Sequence, residues 1–594
     1  SWIPSGAEQP TLHLLAILSV SVGPSFFALS ATSPLLQAWF HRRFPGRSPY
    51  PLYAVSNAGS LLAVFSYPLV VEPLMGLGEQ ETAWFCGFVL FAVGCAVAGL
   101  GNWSGGDRRG AAAHPVRGPG RTAGTRARPL GIWIGLSALG SLLLLATTAQ
   151  ISQDVAASPL FWVVPLGLYL TSFVVCFAGD RWYHRRFWLG LLPLAALGVA
   201  AQLLFASVLP VAVQLTIHAA TLFAGCMVCH GELARARPDA SRLTGFYLAI
   251  SLGGVLGGIF VALVAPLVFP GLWEFSLGWL ALYTLVLVLL GREGDIGARR
   301  RFSVIRVLLG AGWVAAALCF VTDMVFDHRE ATITSRGFYG PLAVSEKRDW
   351  KCLYNGRIRH GCQWTDAERS FEPTTYYGPG SGVAVAVAAL RESRGGDAPL
   401  GVAVIGLGVG TCAAWGTEGD AVRFYEIDGE VVRLARTHFT YLRDASAATD
   451  VVVRDGRLAL EREHAAGERP YDLLVLDAFL GDAVPLHLLT REAFEIYAKR
   501  LATGGALAAH ISNRHVDLKP LMRGLAAEAG LEAFLVRTGE DLAAMTYEST
   551  WVILTGSERV AAAVRASGEV EPWGEGLPSP VVFTDQHSNL LELL

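Results

Sequence analysis

Charge is scarce in this chain. Of its 594 residues only 16% are Asp, Glu, Lys or Arg, while 52% are hydrophobic, and the mean hydropathy is positive. A soluble globular protein carries roughly 25% charged residues, so much of this surface is expected to face lipid. The net charge of −3 excludes little by itself, because the charges are unevenly placed. No nucleic-acid partner is expected. The chain also lacks a starting methionine, so processing or trimming is expected before Ser1, and no cleavable signal peptide is read. Nine cysteines are present but scattered. Six of them (Cys86, Cys95, Cys176, Cys226, Cys229, Cys319) lie in or beside apolar runs, where small buried thiols are the ordinary outcome. Cys226 and Cys229 form a C-x-x-C with no second pair after it, so a metal or redox role is not expected there.

What is present is hydrophobic length. Ten apolar stretches are each long enough to cross a bilayer, which takes about 20 residues. They lie near 11–31, 52–72, 83–102, 129–149, 157–178, 187–207, 210–229, 244–268, 271–290 and 303–325. Arginines follow the odd-numbered stretches: Arg42, Arg43 and Arg47, then Arg108 to Arg128, Arg181 to Arg186, Arg235 to Arg242, and Arg292 to Arg301. The intervening loops hold Glu79, Glu81 and Asp154 and almost no basic residue. The positive-inside rule then puts the odd loops in the cytoplasm and the C-terminal region outside. One miscounted or re-entrant helix would reverse that side. Residues 104–128 read as a loop without apolar period.

Two octets resemble each other: Ala54-Val-Ser-Asn-Ala-Gly-Ser-Leu61 and Ala249-Ile-Ser-Leu-Gly-Gly-Val-Leu256. They read either as an internal duplication or as convergence on small-residue helix packing. Polar groups at membrane depth are costly and invite a functional reading. They are Gln150, Gln153 and Asp154, His218, His230 with Glu232, and Glu274. Inter-helix hydrogen bonding or an interfacial position is the plainer alternative for each. Gln150 and Asp154 are the candidates for substrate contact, being expected on the same side as the C-terminal region.

The remaining residues read as soluble. The run Cys352-Leu-Tyr354, then Asn355-Gly356, then Arg357-Ile-Arg359 is a hairpin signal, and a small β-domain is expected over 327–370. With that turn Cys352 pairs with Arg359, so a Cys352–Cys362 disulfide needs a bulge or wider loop. From about 371 to 594 the pattern becomes α/β. A helix is expected at Val383–Arg391 and strands near 402–405, 422–427, 450–453, 472–477, 505–511, 533–537 and 549–554. Such sheets bind ligands at the carboxyl ends of their strands. Those ends carry Gly406, Gly408 and Gly410, then Glu426, then Asp455-Gly456, then Asp477. Glycines let backbone approach a nucleoside, and a carboxylate about 20 residues on can grip ribose hydroxyls.

The run Thr374-Thr-Tyr-Tyr-Gly, the turn Gly406-Leu-Gly-Val-Gly410, Tyr425-Glu-Ile-Asp428, Arg454-Asp-Gly456 and Tyr471-Asp-Leu-Leu-Val-Leu-Asp-Ala-Phe479 resemble the spermidine synthase (aminopropyltransferase) family over roughly 333–560. With the apolar half included, the chain resembles bacterial proteins described as fused major-facilitator/spermidine synthases. The resemblance implies a polytopic α-helical membrane domain (1–326) joined to a Rossmann-like α/β domain with a small β subdomain before it. It implies an adenosyl cofactor, S-adenosylmethionine or its decarboxylated form, held by the glycine turn, Glu426 and Asp455. Asp477 would be the general base, and Tyr376 or Tyr377 would line the amine pocket. No metal is implied. Two departures stand out. Val409 occupies the place of the family's glycine-motif Asp, which would hold the donor's ammonium. Leu480 occupies that of a second Asp, which Asp482 replaces only if the loop shifts. The expected function is alkyl transfer, aminopropyl or methyl, to a small amine, lipid or peptide at the bacterial inner membrane. The rivals are an extracytoplasmic enzyme that kept the fold without the cofactor, and a transporter with a polyamine- or nucleoside-sensing domain. His510, Asn513 and His515 follow a strand end within reach of the cleft. The tail Phe583–Asn589 reads either as a flap bringing Asp585 and His587 over the site or as a turn before a last short helix.

Overall fold

The computed structural model describes residues 10–44, 47–103, 130–154, 160–179, 181–205, 209–238, 242–292, 303–356, 358–396, 398–479, 485–513, 516–574 and 578–593. The chain divides into two compact units, Leu14–Phe326 and Asp327–Leu594, the latter counted with Ser1–His13.

The first unit is helical. Among the described residues, nine helices are long and apolar enough to cross a membrane, judged by length and composition. The first expected stretch, 11–31, is not one straight helix: Thr11–Ser21 and Gly23–Arg43 meet at 61°. The break falls just before Gly23-Pro24: Pro24 has no N–H to continue the first helix's ladder and sits in the first turn of the second. The expected loop 104–128 lies outside the described residues.

The two similar octets sit in comparable helices. Tyr50–Ser66 runs on into a π-helical turn, Tyr67–Val71, and Leu243–Ile259 into another, Phe260–Val264. A side chain at Gly253 or Gly257 would collide with the carbonyls of Ile134 and Ala138, and Ser137 and Ser141 donate to the carbonyls of Ile250 and Gly254. Gly254, which aligns with Gly59, meets nothing within 4 Å, and neither does Gly59. Close helix packing accounts for Gly253, whose counterpart in the first octet is Ala58.

Several polar residues within the apolar helices have structural partners. His230 Nδ1 lies 2.7 Å from Ser172 Oγ, and its ring stacks on Phe173. Glu232 pairs with Arg185 at 2.6 Å and accepts from Tyr183. Cys226 and Cys229 are buried free thiols. His218 and Glu274 are fully buried.

The second unit holds two sheets. The smaller is antiparallel in the order β1 (Ile333–Gly337), β2 (Gly340–Glu346), β3 (Trp350–Asn355), β4 (Ile358–Trp364). Its hairpin differs from the sequence expectation. Asn355 pairs with Ile358, so the turn falls one residue later than expected, and the register slips once more between Leu353 and Tyr354, leaving His360 as a bulge. The two shifts bring Cys352 opposite Cys362, and they form a disulfide.

The larger sheet carries β5 (Gly401–Ile405), β6 (Ala421–Glu426), β7 (Ala448–Val453), β8 (Tyr471–Leu476), β9 (Leu501–His510), β10 (Glu532–Thr538), β11 (Ser549–Thr555) and β12 (Val570–Glu571). The spatial order is β12-β10-β11-β9-β8-β5-β6-β7. Strands β5 to β9 are mutually parallel, and β10, β11 and β12 pair antiparallel. Strands β5 and β8 read as unbroken apolar runs because both faces are covered. Residues such as Val404 and Val475 pack on one side, and Ile405 and Leu476 on the other. The chain runs outward from β5 to β7, then returns to lay β8 on β5's other flank. That reversal opens a crevice at the carboxyl ends of β5 and β8, where ligands of open α/β sheets bind.

Candidate active site

The glycine turn leaves β5 directly into this crevice. Gly406 and Gly408 have φ of 102° and 55°, a region side chains rarely adopt. Space forbids side chains there as well. A Cβ on Gly406 would strike the Asp477 carbonyl, and one on Gly408 would come within 2.5 Å of the His360 carbonyl. The turn is therefore gripped between the end of β8 and the bulge of β4. Gly410, also at positive φ, leads into the short helix Thr411–Trp415.

Glu426 ends β6 beside that turn. Its Oε2 accepts the Leu407 N–H at 3.0 Å and its Oε1 the Asp428 N–H at 2.9 Å. Burial raises its pKa to about 7, against the pull of those N–H groups. Each oxygen keeps a further lone pair for a ligand hydroxyl. Asp455 caps the helix Gly456–Ala465. Its Oδ1 accepts the Leu458 N–H and its Oδ2 lies 2.9 Å from His487 Nε2. Burial pushes this carboxyl up, but the His487 and backbone hydrogen bonds outweigh it and hold it below the usual range. The Asp455-Gly456 pair has a packing reason as well: a Cβ at Gly456 would enter the Ile405 side chain. Around these acids Ile427, Val453 and Leu458 stay 39%, 37% and 40% exposed. Apolar groups beside a carboxylate suit a planar base with a polar edge.

The β1–β2 hairpin reaches the same place. Burial raises the Tyr339 phenol, and the charges of Asp428, Glu426 and Asp455 add to it, so its hydroxyl stays protonated among three carboxylates. Sequence reasoning missed Tyr339, since β1 carries no alternating pattern.

Asp477 follows β8 at the far side of the turn. Tyr377 donates to its Oδ2, and His510 Nδ1 lies 2.7 Å from its Oδ1. Burial first, and the Asp477 charge second, push the Tyr377 phenol well above its ordinary value, so it is a fixed donor and not a base. His510 Nε2 lies 2.8 Å from Ser512 Oγ, which accepts the Thr550 N–H. This Asp-His-Ser connectivity matches that of a nucleophilic triad, but Ser512 is tied into the β9–β11 ladder and serves to hold the imidazole. The ring is also clamped between Tyr376 and Trp551, each 4.6 Å away, with Phe479 at its edge.

Of the residues singled out from sequence, the structure places Gly406, Gly408, Gly410, Glu426, Asp455 and Asp477 at or just after the carboxyl ends of β5 to β8, with Tyr377 bonded to Asp477 and Tyr376 next to it. Asp482 and His515 lie outside the described residues. Gln150 and Asp154 close a helix of the first unit, Leu130–Asp154. Asp585 pairs with Arg457, two residues after Asp455, at 2.6 Å, accepts from Thr490 and fastens the tail, which turns at Thr584–His587 before the short helix Leu590–Leu593. Val409 is 1% exposed and packs with Leu342, Val344, Leu353, Leu434, Phe439 and Tyr441, joining the small sheet to the large one. Among the described residues, no group of three or more His, Cys, Asp or Glu is placed to hold a metal ion.

No family model matches the chain. Over 204 residues it is 28% identical to a polyamine aminopropyltransferase from Vibrio vulnificus (strain CMCP6), a match that covers 33% of this chain and 64% of that relative. Among solved structures it is similar to a probable spermidine synthase from Corynebacterium glutamicum ATCC 13032, with 19% identity, a TM-score of 0.30, and coverage of 43% of this chain and 90% of that one. It is also similar to spermidine synthase from Thermotoga maritima, with 12% identity, a TM-score of 0.28, and coverage of 45% and 84%.

Proposed function

We propose that this chain is an integral-membrane transferase that moves an alkyl group, aminopropyl or methyl, from an adenosyl sulfonium to an amine. One observation carries the reading: a glycine turn, a ribose-type carboxylate (Glu426) and a hydrogen-bonded carboxylate (Asp477) meet at neighbouring strand ends around one crevice. S-adenosylmethionine or its decarboxylated form would lie with its ribose on Glu426 and its base by Asp455 and the exposed Ile427 and Leu458. Its sulfur would then lie over the turn, facing Asp477. The attacking amine must be neutral, so a proton has to leave it. Asp477 accepts that proton through a lone pair not engaged by Tyr377 or His510, while the carbon–sulfur bond breaks and the thioether departs uncharged. Holding nucleophile and donor in line supplies much of the acceleration.

The domain arrangement in this reading is 1–326 in the bilayer, 327–370 as the small β subdomain and 371–594 as the transferase fold. The helical part corresponds to the major-facilitator portion of a fusion in the inner membrane, with Gln150 and Asp154 contacting substrate. The loop arginines and the Cys352–Cys362 disulfide support an extracytoplasmic C-terminal region, since disulfides persist in oxidising compartments. The same two observations, with Val409 turned into an apolar core, support a second reading: an enzyme on that side that acts on an amine of a lipid or exported peptide without an adenosyl cofactor.

Calorimetry of adenosyl compounds on the purified full chain separates the two. With Glu426 ionising near pH 7, its better-accepting form is about a tenth populated one unit below and nine tenths one unit above. Affinity should therefore rise about tenfold from pH 6 to pH 8. Glu426→Gln should flatten that rise. Wild-type protein that binds no adenosyl compound at any pH would leave only the second reading.

A further inference from the structure

The bulge in β4 has a chemical consequence. It falls at His360, between the paired residues Arg359 and Gly361. Bulges next to active sites re-aim one side chain, and here the extra residue is an imidazole. Its carbonyl presses on Gly408, as the Asp477 carbonyl presses on Gly406, so both residues contact the glycine turn. The His360 Nε2 is buried and has no hydrogen-bond partner among the described residues. A buried, unpaired ring nitrogen is costly unless something satisfies it. Burial holds the ring below its ordinary pKa, the nearby Asp477 charge opposing, so the imidazole is neutral at physiological pH. Val409, the neighbour that would otherwise reach the same space, is turned into the small-sheet core against Gly361. The disulfide two residues beyond the bulge fixes its register.

We propose that His360 is a ligand-contacting specificity residue of the Asp477 cleft, its Nε2 accepting a hydrogen bond from the primary ammonium on the sulfonium-linked chain of the donor. This rests on the adenosyl-transfer reading above. It extends that reading by giving the donor's ammonium a neutral acceptor rather than a carboxylate. S-adenosylmethionine and its decarboxylated form share that ammonium and differ in the carboxylate, so the proposal makes no distinction between them.

The test is calorimetry on the full-length protein in detergent with three probes: S-adenosylmethionine, decarboxylated S-adenosylmethionine and 5′-methylthioadenosine, which has no ammonium. A hydrogen bond to a charged group corresponds to about a tenfold change in affinity or more. His360→Phe should weaken every ammonium-bearing donor the wild type binds by about tenfold, and 5′-methylthioadenosine by less than about twofold. His360→Asn, which restores an acceptor, should recover part of the loss and covers the case in which the Phe variant does not fold. Unchanged donor affinity, an equal loss for all three probes, or a loss confined to the carboxylate-bearing donor would each overturn the assignment of His360. A wild type that binds none of the three would instead overturn the transferase reading on which it stands.

Discussion

Asp477→Asn is expected to abolish nearly all alkyl transfer while leaving nucleoside binding in place. General-base catalysis by a positioned group contributes about 10²–10⁴-fold, and the loss should fall in that range. The environment makes asparagine a poor substitute for a second reason. Both Asp477 oxygens face donors, Tyr377 on one side and the His510 Nδ1 on the other. An amide offers one acceptor and one NH2 group, so one of those contacts becomes donor against donor unless His510 shifts its proton to Nε2. Ser512 Oγ can accept that proton, because its own hydrogen is free to rotate away while it keeps the Thr550 N–H. The variant is therefore expected to fold with the relay reversed, not to collapse. Single-turnover transfer followed by mass spectrometry, alongside calorimetry with 5′-methylthioadenosine, reads the two effects separately. Wild-type turnover in the Asn variant would remove Asp477 from the base role.

The strand ends that carry this chemistry were legible because fully covered strands leave a continuous apolar trace. Val402–Ile405 and Leu473–Leu476 have that trace, and each is followed at once by the glycine or carboxylate that matters. Elements held by partners rather than by pattern were not legible. Strand β1 is only half-buried along its length, so no alternation marks it, and Tyr339 in the turn after it escaped notice. The His360 bulge leaves no sequence periodicity at all; it exists because two strands of different effective length are pinned together at Cys352 and Cys362. The turn is not centred on Asn355-Gly356: Asn355 remains in the ladder and Gly356, at φ 58°, takes the corner, which together with the bulge supplies the wider loop and bulge that the disulfide needs. The Asp585 tail was equally ambiguous, since its partner Arg457 is 128 residues away in sequence.

Removing the disulfide, by Cys352→Ala with Cys362→Ala, is expected to lower the stability of the C-terminal unit by about 3 kcal/mol, the loop-closure contribution for a crosslink spanning about ten residues. The effect should reach the active site through a short path. The cystine packs against Met545, whose carbonyl accepts the Thr375 N–H at 2.7 Å, and Thr374 Oγ1 donates to the Cys362 carbonyl at 2.6 Å. Thr375 and Met545 both sit at φ 56°, a left-handed conformation that non-glycine residues hold only when their surroundings enforce it. Directly after them come Tyr376, stacked on His510, and Tyr377, bonded to Asp477. Loss of the crosslink relaxes that enforcement, so transfer should fall by more than the unfolded fraction explains, and the reduced wild type should behave as the double variant does. The state of the pair in cells also bears on topology. If the C-terminal region faces the oxidising side, both thiols should resist maleimide until a reductant is added, and a C-terminal alkaline phosphatase fusion should be active. Thiols that label at once in growing cells, together with a melting temperature indifferent to reductant, would refute both the stabilising role and the extracytoplasmic placement.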